Sequence, residues 1–150
     1  MAVQFTSQPL FHALSCGFLV QISKVLTFLI REKKINVRQF VETGGMPSSH
    51  AASVSALSTC VGLREGAGSV LFDVTVFMSL IVMYDAAGLR RAAGRQATLL
   101  NRILHEHIQL PGQPYERLRE LLGHTPLEVL LGAIIGILYS FAIYRPPGTP

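Results

Sequence analysis

The chain has 150 residues, 49% of them hydrophobic and only 15% charged, against roughly 25% charged in ordinary soluble domains. That excludes a disordered chain, which needs low hydrophobicity and high charge. Two cysteines, Cys16 and Cys60, both in apolar runs, exclude a disulfide scaffold and read as free buried thiols. The net charge of +4 raises the question of nucleic acid. The basic residues, however, lie between apolar segments with no aromatic-basic patch beside them, so a membrane partner explains the charge and no nucleic acid is expected. At this length a single domain, 1–150, is expected.

Four apolar segments follow one another. The first, Leu10 to Ile30, makes a helix of about 31 Å, matching a hydrocarbon core of roughly 30 Å. A signal peptide is not expected here, because no basic region precedes it, no small-residue cleavage site follows it, and it carries Lys24. The second, Met46 to about Leu63, is rich in Ala and Ser, which suits a helix packed on other helices. The third, Ser69 to Tyr84, spans about 24 Å as a helix. The polar stretch 86–123 comes next. Within it, Ala92 to Ile108 places Ala97, Leu100, Ile103 and Leu104 on one stripe, which predicts an amphipathic interfacial helix. Gly112 and Pro114 break it, and a short helix is expected around Tyr115 to Leu122. The fourth segment, Leu127 to Tyr144, holds Gly132 and Gly136 in a GxxxG spacing that permits close helix contact. The fold class is therefore all-α: an integral, multi-pass membrane helical bundle of about four spans plus one or two amphipathic interfacial helices. A homo-oligomer through the GxxxG face is compatible with it.

Four spans put the loops 31–43 and 86–123 on one face. That face holds Arg31, Lys33, Lys34, Arg38, Arg90, Arg91, Arg95, Arg102, Arg117 and Arg119, and the other only Arg64 and Arg145. The excess makes it cytoplasmic and leaves both termini outside.

The chemistry-bearing residues gather at span ends on that face. Lys24 and Arg31 are seven apart and share a helix side. Gly44-Gly45-Met46-Pro47-Ser48-Ser49-His50 opens the second segment and Gly123-His124-Thr125-Pro126-Leu127-Glu128 the fourth. Singly, each has a bland reading: a snorkelling lysine, a Pro/Ser helix start, a capping histidine. Together they put costly ionisable groups at one membrane depth. Lys and Arg with a helix N-terminus make an anion site. His124 and Glu128 are i, i+4, so the carboxylate can fix the imidazole tautomer and leave a nucleophilic nitrogen. His50 supplies an acid for the leaving group. The set describes phosphoryl transfer through a phosphohistidine, with no cofactor. No metal set is visible, since His105 and His107 point to opposite sides of their helix.

At these residues the sequence resembles the type 2 phosphatidic acid phosphatase and vanadium haloperoxidase superfamily, whose pattern runs K-x6-R-P, P-S-G-H and S-R-x5-H-x3-D. Here the first motif reads Lys24-VLTFLI-Arg31, with Glu32 for the proline. The second reads Pro47-Ser48-Ser49-His50, with Ser49 for the glycine. The third reads His124-TPL-Glu128, with Glu128 for the aspartate. The motif arginine belongs six residues before His124, where Leu118 stands, and Arg119 takes its place. The stretches GGMPSSHAA, VMYDAAGLRRAAGRQATLLNRI and LRELLGHTPLEV resemble the small divergent branch of that superfamily, over roughly residues 10–140. The resemblance implies His124 as nucleophile, Glu128 as its orienter and His50 as acid. It implies Lys24, Arg31, Ser48, Ser49 and Arg119 as phosphate ligands. Asp85, Arg90 and Arg91 belong to the branch; Asp85 paired with either arginine would fix the loop around the site, and Asp73 is read as structural.

The expected function is a metal-independent membrane phosphatase, a phosphoric monoester hydrolase acting on a lipid phosphate monoester or diphosphate. With the site on the cytoplasmic leaflet, phosphatidylglycerophosphate, phosphatidate or a prenyl phosphate are natural substrates. The alternatives are a non-catalytic membrane protein retaining the fold and an anion pocket, a vanadate-dependent haloperoxidase, and a small-ion or proton pathway.

Overall fold

In the computed structural model, residues 8–33, 45–107, 118 and 123–146 are described. They form five helices: α1 (Pro9–Glu32), α2 (Ser49–Glu65), α3 (Val70–Ala87), α4 (Leu89–His107) and α5 (Pro126–Ile143). The short helix expected around Tyr115 to Leu122 lies, apart from Leu118, outside the described residues.

Local chemistry sets the ends. Pro9 and Pro126 open α1 and α5, where a missing N–H costs nothing. Ser48 and Ser69 cap α2 and α3, each side chain accepting a first-turn N–H, from Ala51 and Phe72. At α5, Thr125 and Glu128 form a reciprocal capping box. Lys33, in the left-handed region at φ 51°, closes α1 with its N–H on the Leu29 carbonyl.

α2 is the hub: α1, α3 and α5 all pack on it. Gly132 lies against the Ser48 carbonyl and Gly136 against the Ala52 carbonyl, and Ser140 Oγ donates to the Ala56 carbonyl at 3.1 Å. Numbers rise together on both helices, so α2 and α5 run parallel, with their N-termini at the same end. The GxxxG contact is thus made inside the chain. α1 and α3 run antiparallel to α2. Gly17 meets Ser53 while Gln8 bonds Arg64, and Phe72 covers Gly62 while Ser79 lies 2.7 Å from Ser58. One end of the bundle therefore collects the C-termini of α1 and α3 and the N-termini of α2 and α5.

The packing is inverted relative to a soluble protein. The buried positions of α5 are Val129, Gly132, Gly136 and Ser140, and those of α3 are Ser79 and Ala86. Large apolar side chains point outward instead, among them Leu14, Phe18, Val74, Phe77, Leu130, Leu138 and Phe141. A soluble monomer does not tolerate so continuous an apolar surface, whereas close packing of small residues is how helices associate in lipid. Among the described residues, three stretches are long and apolar enough to cross a membrane: Pro9–Ile30, one within Val70–Leu104, and Pro126–Ile143. The protein is an integral membrane helical bundle. The fourth expected span, α2, runs the same course at 17 residues, but its Ala, Ser and Cys residues face its three neighbours. Cys16 and Cys60 are free and buried.

Against this background Gly136→Val should be severe. Its Cβ would meet the main chain of Ala52 and Ala56, which cannot rotate away, so α2 and α5 must separate. Overpacking of this kind costs about 1–3 kcal/mol or more. Thermal unfolding in detergent should show a clear drop; unchanged stability would contradict the parallel α2–α5 contact.

α4 is the amphipathic helix the sequence predicts. Its packed side holds Gly94, Ala97 and Asn101, whereas Leu100 and Ile103 of the expected stripe are exposed, alongside Leu99. An amphipathic helix at an interface keeps its large apolar side chains for lipid and uses small residues for protein contact.

Candidate active site where two helix N-termini meet

His124 lies two residues before α5 and is 2% exposed. Its N–H donates to the Ala86 carbonyl at 3.0 Å, tying it to the last turn of α3. Its Nδ1 lies 3.1 Å from Glu128 Oε2, as the i, i+4 spacing predicts. The same oxygen accepts the Thr125 N–H at 3.0 Å, so the carboxylate is held from a second side. An ionised carboxylate only accepts, so Nδ1 carries the proton and Nε2 keeps its lone pair. Nε2 is buried and makes no hydrogen bond among the described residues. A buried polar atom left so costs on the order of 1–3 kcal/mol, an expense explained when a ligand completes the site.

Burial pushes the His124 pKa below that of an ordinary imidazole. The Glu128 hydrogen bond opposes this, the Lys24 charge reinforces it, and the Gly45 main chain opposes it. The ring is therefore neutral at neutral pH. Gly45 adopts φ 78°, in the left-handed region, where an L side chain is strained.

Ser48 is fully buried at the N-cap of α2. Its N–H donates to the Glu128 carbonyl at 3.0 Å and its Oγ accepts the Ala51 N–H at 3.3 Å. This directly joins the Pro-Ser-Ser-His start to the first turn of α5. Ser49 is half-buried and His50 exposed on the first turn of α2. Lys24 is half-buried on α1 and acts electrostatically on both Glu128 and His124. Asp85 is half-buried, one residue before the Ala86 carbonyl that holds His124. Arg31 lies on α1, and Arg90 and Arg91 on the first turn of α4, but their side chains lie outside the described residues, as does Arg119 altogether. Among the described residues no three His, Cys, Asp or Glu side chains cluster closely enough to hold a metal ion.

Two parallel N-termini carry partial positive charge of roughly half a unit each, and first-turn N–H groups lack partners within their own helix. With Lys24 added, this end of the bundle attracts an anion. Beside it stands a neutral, carboxylate-oriented imidazole whose Nε2 makes no hydrogen bond among the described residues. Sequence reasoning missed one contributor, the Ala86 carbonyl that holds the His124 main chain. Main-chain acceptors leave no composition signal.

The fold defines a helical integral membrane protein, with a buried histidine–carboxylate pair where two helix N-termini meet. The chain belongs to the Divergent PAP2 family, whose model matches residues 5–139. It is 40% identical over 149 residues to the "Uncharacterized membrane protein YuiD" of Bacillus subtilis (strain 168), covering 92% of this chain and 94% of that one. No solved structure matches the chain significantly.

Proposed function

We propose that this protein is a membrane phosphatase that hydrolyses a lipid phosphate monoester or diphosphate, a prenyl phosphate included, through a phosphohistidine. The observation that carries the reading is His124: buried, hydrogen-bonded through Nδ1 to Glu128, with Nε2 free of hydrogen bonds among the described residues, where two helix N-termini meet. Membership of a PAP2-related family supports a phosphatase chemistry. The lipid-facing apolar surface supports an amphiphilic substrate.

In this reading His124 Nε2 attacks phosphorus in line. The N–P bond forms as the bond to the lipid oxygen breaks, and His50 gives that oxygen its proton. Glu128 keeps its hydrogen bond to Nδ1–H and balances the charge arising on the ring. Lys24, Arg31 and Arg119 neutralise the nonbridging oxygens. The Ser48 hydroxyl, which accepts from Ala51, still has its own proton to donate, and the Ser49 N–H adds a second donor. Water then attacks phosphorus and its proton returns to His50. The N–P bond breaks, releasing inorganic phosphate and neutral His124. Asp85, Arg90 and Arg91 support the loop around the site. The excess of Lys and Arg in the segments at this end of the bundle supports a cytoplasmic orientation of the site.

The test is phosphate release by the purified protein in detergent from phosphatidate, phosphatidylglycerophosphate and prenyl phosphates. Release from at least one is expected; release from none contradicts the reading. The pH dependence is a sharper check. Attack needs neutral His124, so activity should persist below the ordinary imidazole pKa of about 6.5 and fall as the ring protonates. Lys24 disfavours the imidazolium, so Lys24→Met should raise the His124 pKa and move the acid limb to higher pH. An acid limb that stays in place would exclude Lys24 as a neighbour of the reacting ring.

A further inference from the structure

α1 outruns the helix it packs on. Gly17 lies against Ser53 and the Ser49 carbonyl, and the two helices are antiparallel. Four residues further along α1, near Gln21, the chain is therefore level with Ser49, where α2 begins. On α5, Tyr139 Oη lies 2.7 Å from Ser15 Oγ, and the same count sets Ser23 to Thr27 level with the opening turns of that helix. This stretch of α1 thus stands beside the start of α5 and in front of the start of α2. Val20 is 5% exposed on the packed side of α1. Helical spacing puts Ser23 and Thr27, three and seven residues on, on that same side. Both are nevertheless exposed, because α2 no longer lies opposite them. Lys24 stands between the two, and its charge acts on His124 and Glu128. The stretch therefore overhangs the mouth of the site, where the buried His124 Nε2 makes no hydrogen bond among the described residues.

The two hydroxyls have a fixed sense. Ser23 Oγ donates to the Val20 carbonyl and Thr27 Oγ1 to the Ser23 carbonyl, both at 2.7 Å. A hydroxyl has one proton to give, so what each presents to the mouth is acceptor lone pairs. The oxygens of an ionised phosphate are acceptors too and gain nothing from them. A donor gains. The neighbouring Lys24 ammonium disfavours a cationic donor, which leaves a neutral hydroxyl as the group that fits.

We propose that Ser23 and Thr27 are specificity-determining residues: they accept hydrogen bonds from free hydroxyls on the alcohol that carries the phosphate. The site then prefers a lipid phosphate with a polyol headgroup over one whose phosphate sits directly on a hydrocarbon chain. The inference rests on the reading of this mouth as a phosphate site.

The experiment uses the full-length protein in detergent and reads the dissociation constants of three soluble probes: orthovanadate, glycerol 1-phosphate and propyl phosphate. The two esters have the same carbon skeleton and differ in the hydroxyls. Wild type should bind glycerol 1-phosphate about tenfold more tightly than propyl phosphate. Thr27→Val, which keeps the side-chain shape, and Ser23→Ala should each shrink that ratio. The double variant should bring the two esters within about twofold of each other, with orthovanadate and propyl phosphate bound as in wild type. Thr27→Ser should keep the preference. Hydroxyls that only satisfy themselves on their own helix against lipid would make no difference to any probe. Equal binding of the two esters by wild type therefore overturns the proposal, as does a preference that survives the double variant. A parallel loss of orthovanadate binding would make the pair phosphate ligands instead and overturns it as well. A wild-type protein that shows the preference but releases no phosphate from any lipid refutes the phosphatase reading and leaves this one standing. One that binds none of the three probes refutes both.

Discussion

His124→Ala should lower phosphate release by about 10³-fold or more, since removal of a covalent nucleophile leaves only binding and electrostatic stabilisation. The fold should tolerate the change. The main-chain hydrogen bond from residue 124 to the Ala86 carbonyl survives it, and the Thr125–Glu128 capping box does not involve the ring. The ring's burial means that a cavity is left behind, with a stability cost of order 2–4 kcal/mol by analogy with other large-to-small core changes. Activity should therefore be compared at a temperature where both proteins remain folded, with single-turnover release of inorganic phosphate as the readout. Labelled substrate should leave an acid-labile phosphoryl group on wild type and none on the variant. Equal release by the two proteins would end the assignment of His124 as nucleophile.

Glu128→Gln separates catalysis from helix capping. The carboxylate does two things at once: it accepts from His124 Nδ1, and it completes the α5 capping box with the Thr125 N–H. Glutamine serves a capping box nearly as well as glutamate, so a purely structural residue would tolerate the change. Glutamine is neutral, however, and its amide can either donate or accept. It loses the charge that balances an imidazolium and no longer forces the proton onto Nδ1. Disturbing the equivalent orienting carboxylate in a nucleophile–histidine arrangement costs about 10⁴-fold, and a loss of about 10³–10⁴-fold is expected here, with thermal stability close to wild type. Wild-type activity together with wild-type stability would reduce Glu128 to a helix cap.

Much of the scaffold is legible in the sequence, for local reasons. The segment Leu10 to Ile30 lies within α1 because an apolar run opened by proline has few other options. Ser48, Ser69, Thr125 and Pro126 mark helix starts by chemistry that acts within one turn. The Ala/Ser composition of the second segment foretells a packed helix, and α2 is indeed the hub. What spacing alone does not give is the partner. Gly132 and Gly136 announce a close contact, but not that it is made with α2, nor that the two helices run parallel; those facts depend on the order in which the chain crosses the bundle.

The site divides in the same way. The His124–Glu128 pair follows from i, i+4 geometry on a helix start. The different environments of the two histidines do not, since each stands beside a Pro/Ser/Thr helix opening. His124 is buried because α3 supplies an acceptor and the turn at Gly45 lies beside its ring. His50, on the first turn of α2, stays exposed, where a group that exchanges protons with a leaving oxygen and with water would need to be. The Ser48 main chain links these regions by reaching Glu128 across the parallel contact. The small residues that let α2 and α5 approach are thus also the reason that the two helix starts share one site.

The most direct measurement is a structure of the protein with orthovanadate bound. The account predicts vanadium within bonding distance of His124 Nε2, its oxygens facing Lys24 and the first turn of α2, with His50 on the side open to the leaving group. Vanadate bound away from His124, or His50 and His124 on opposite sides of it from Lys24 with no shared oxyanion, would contradict it.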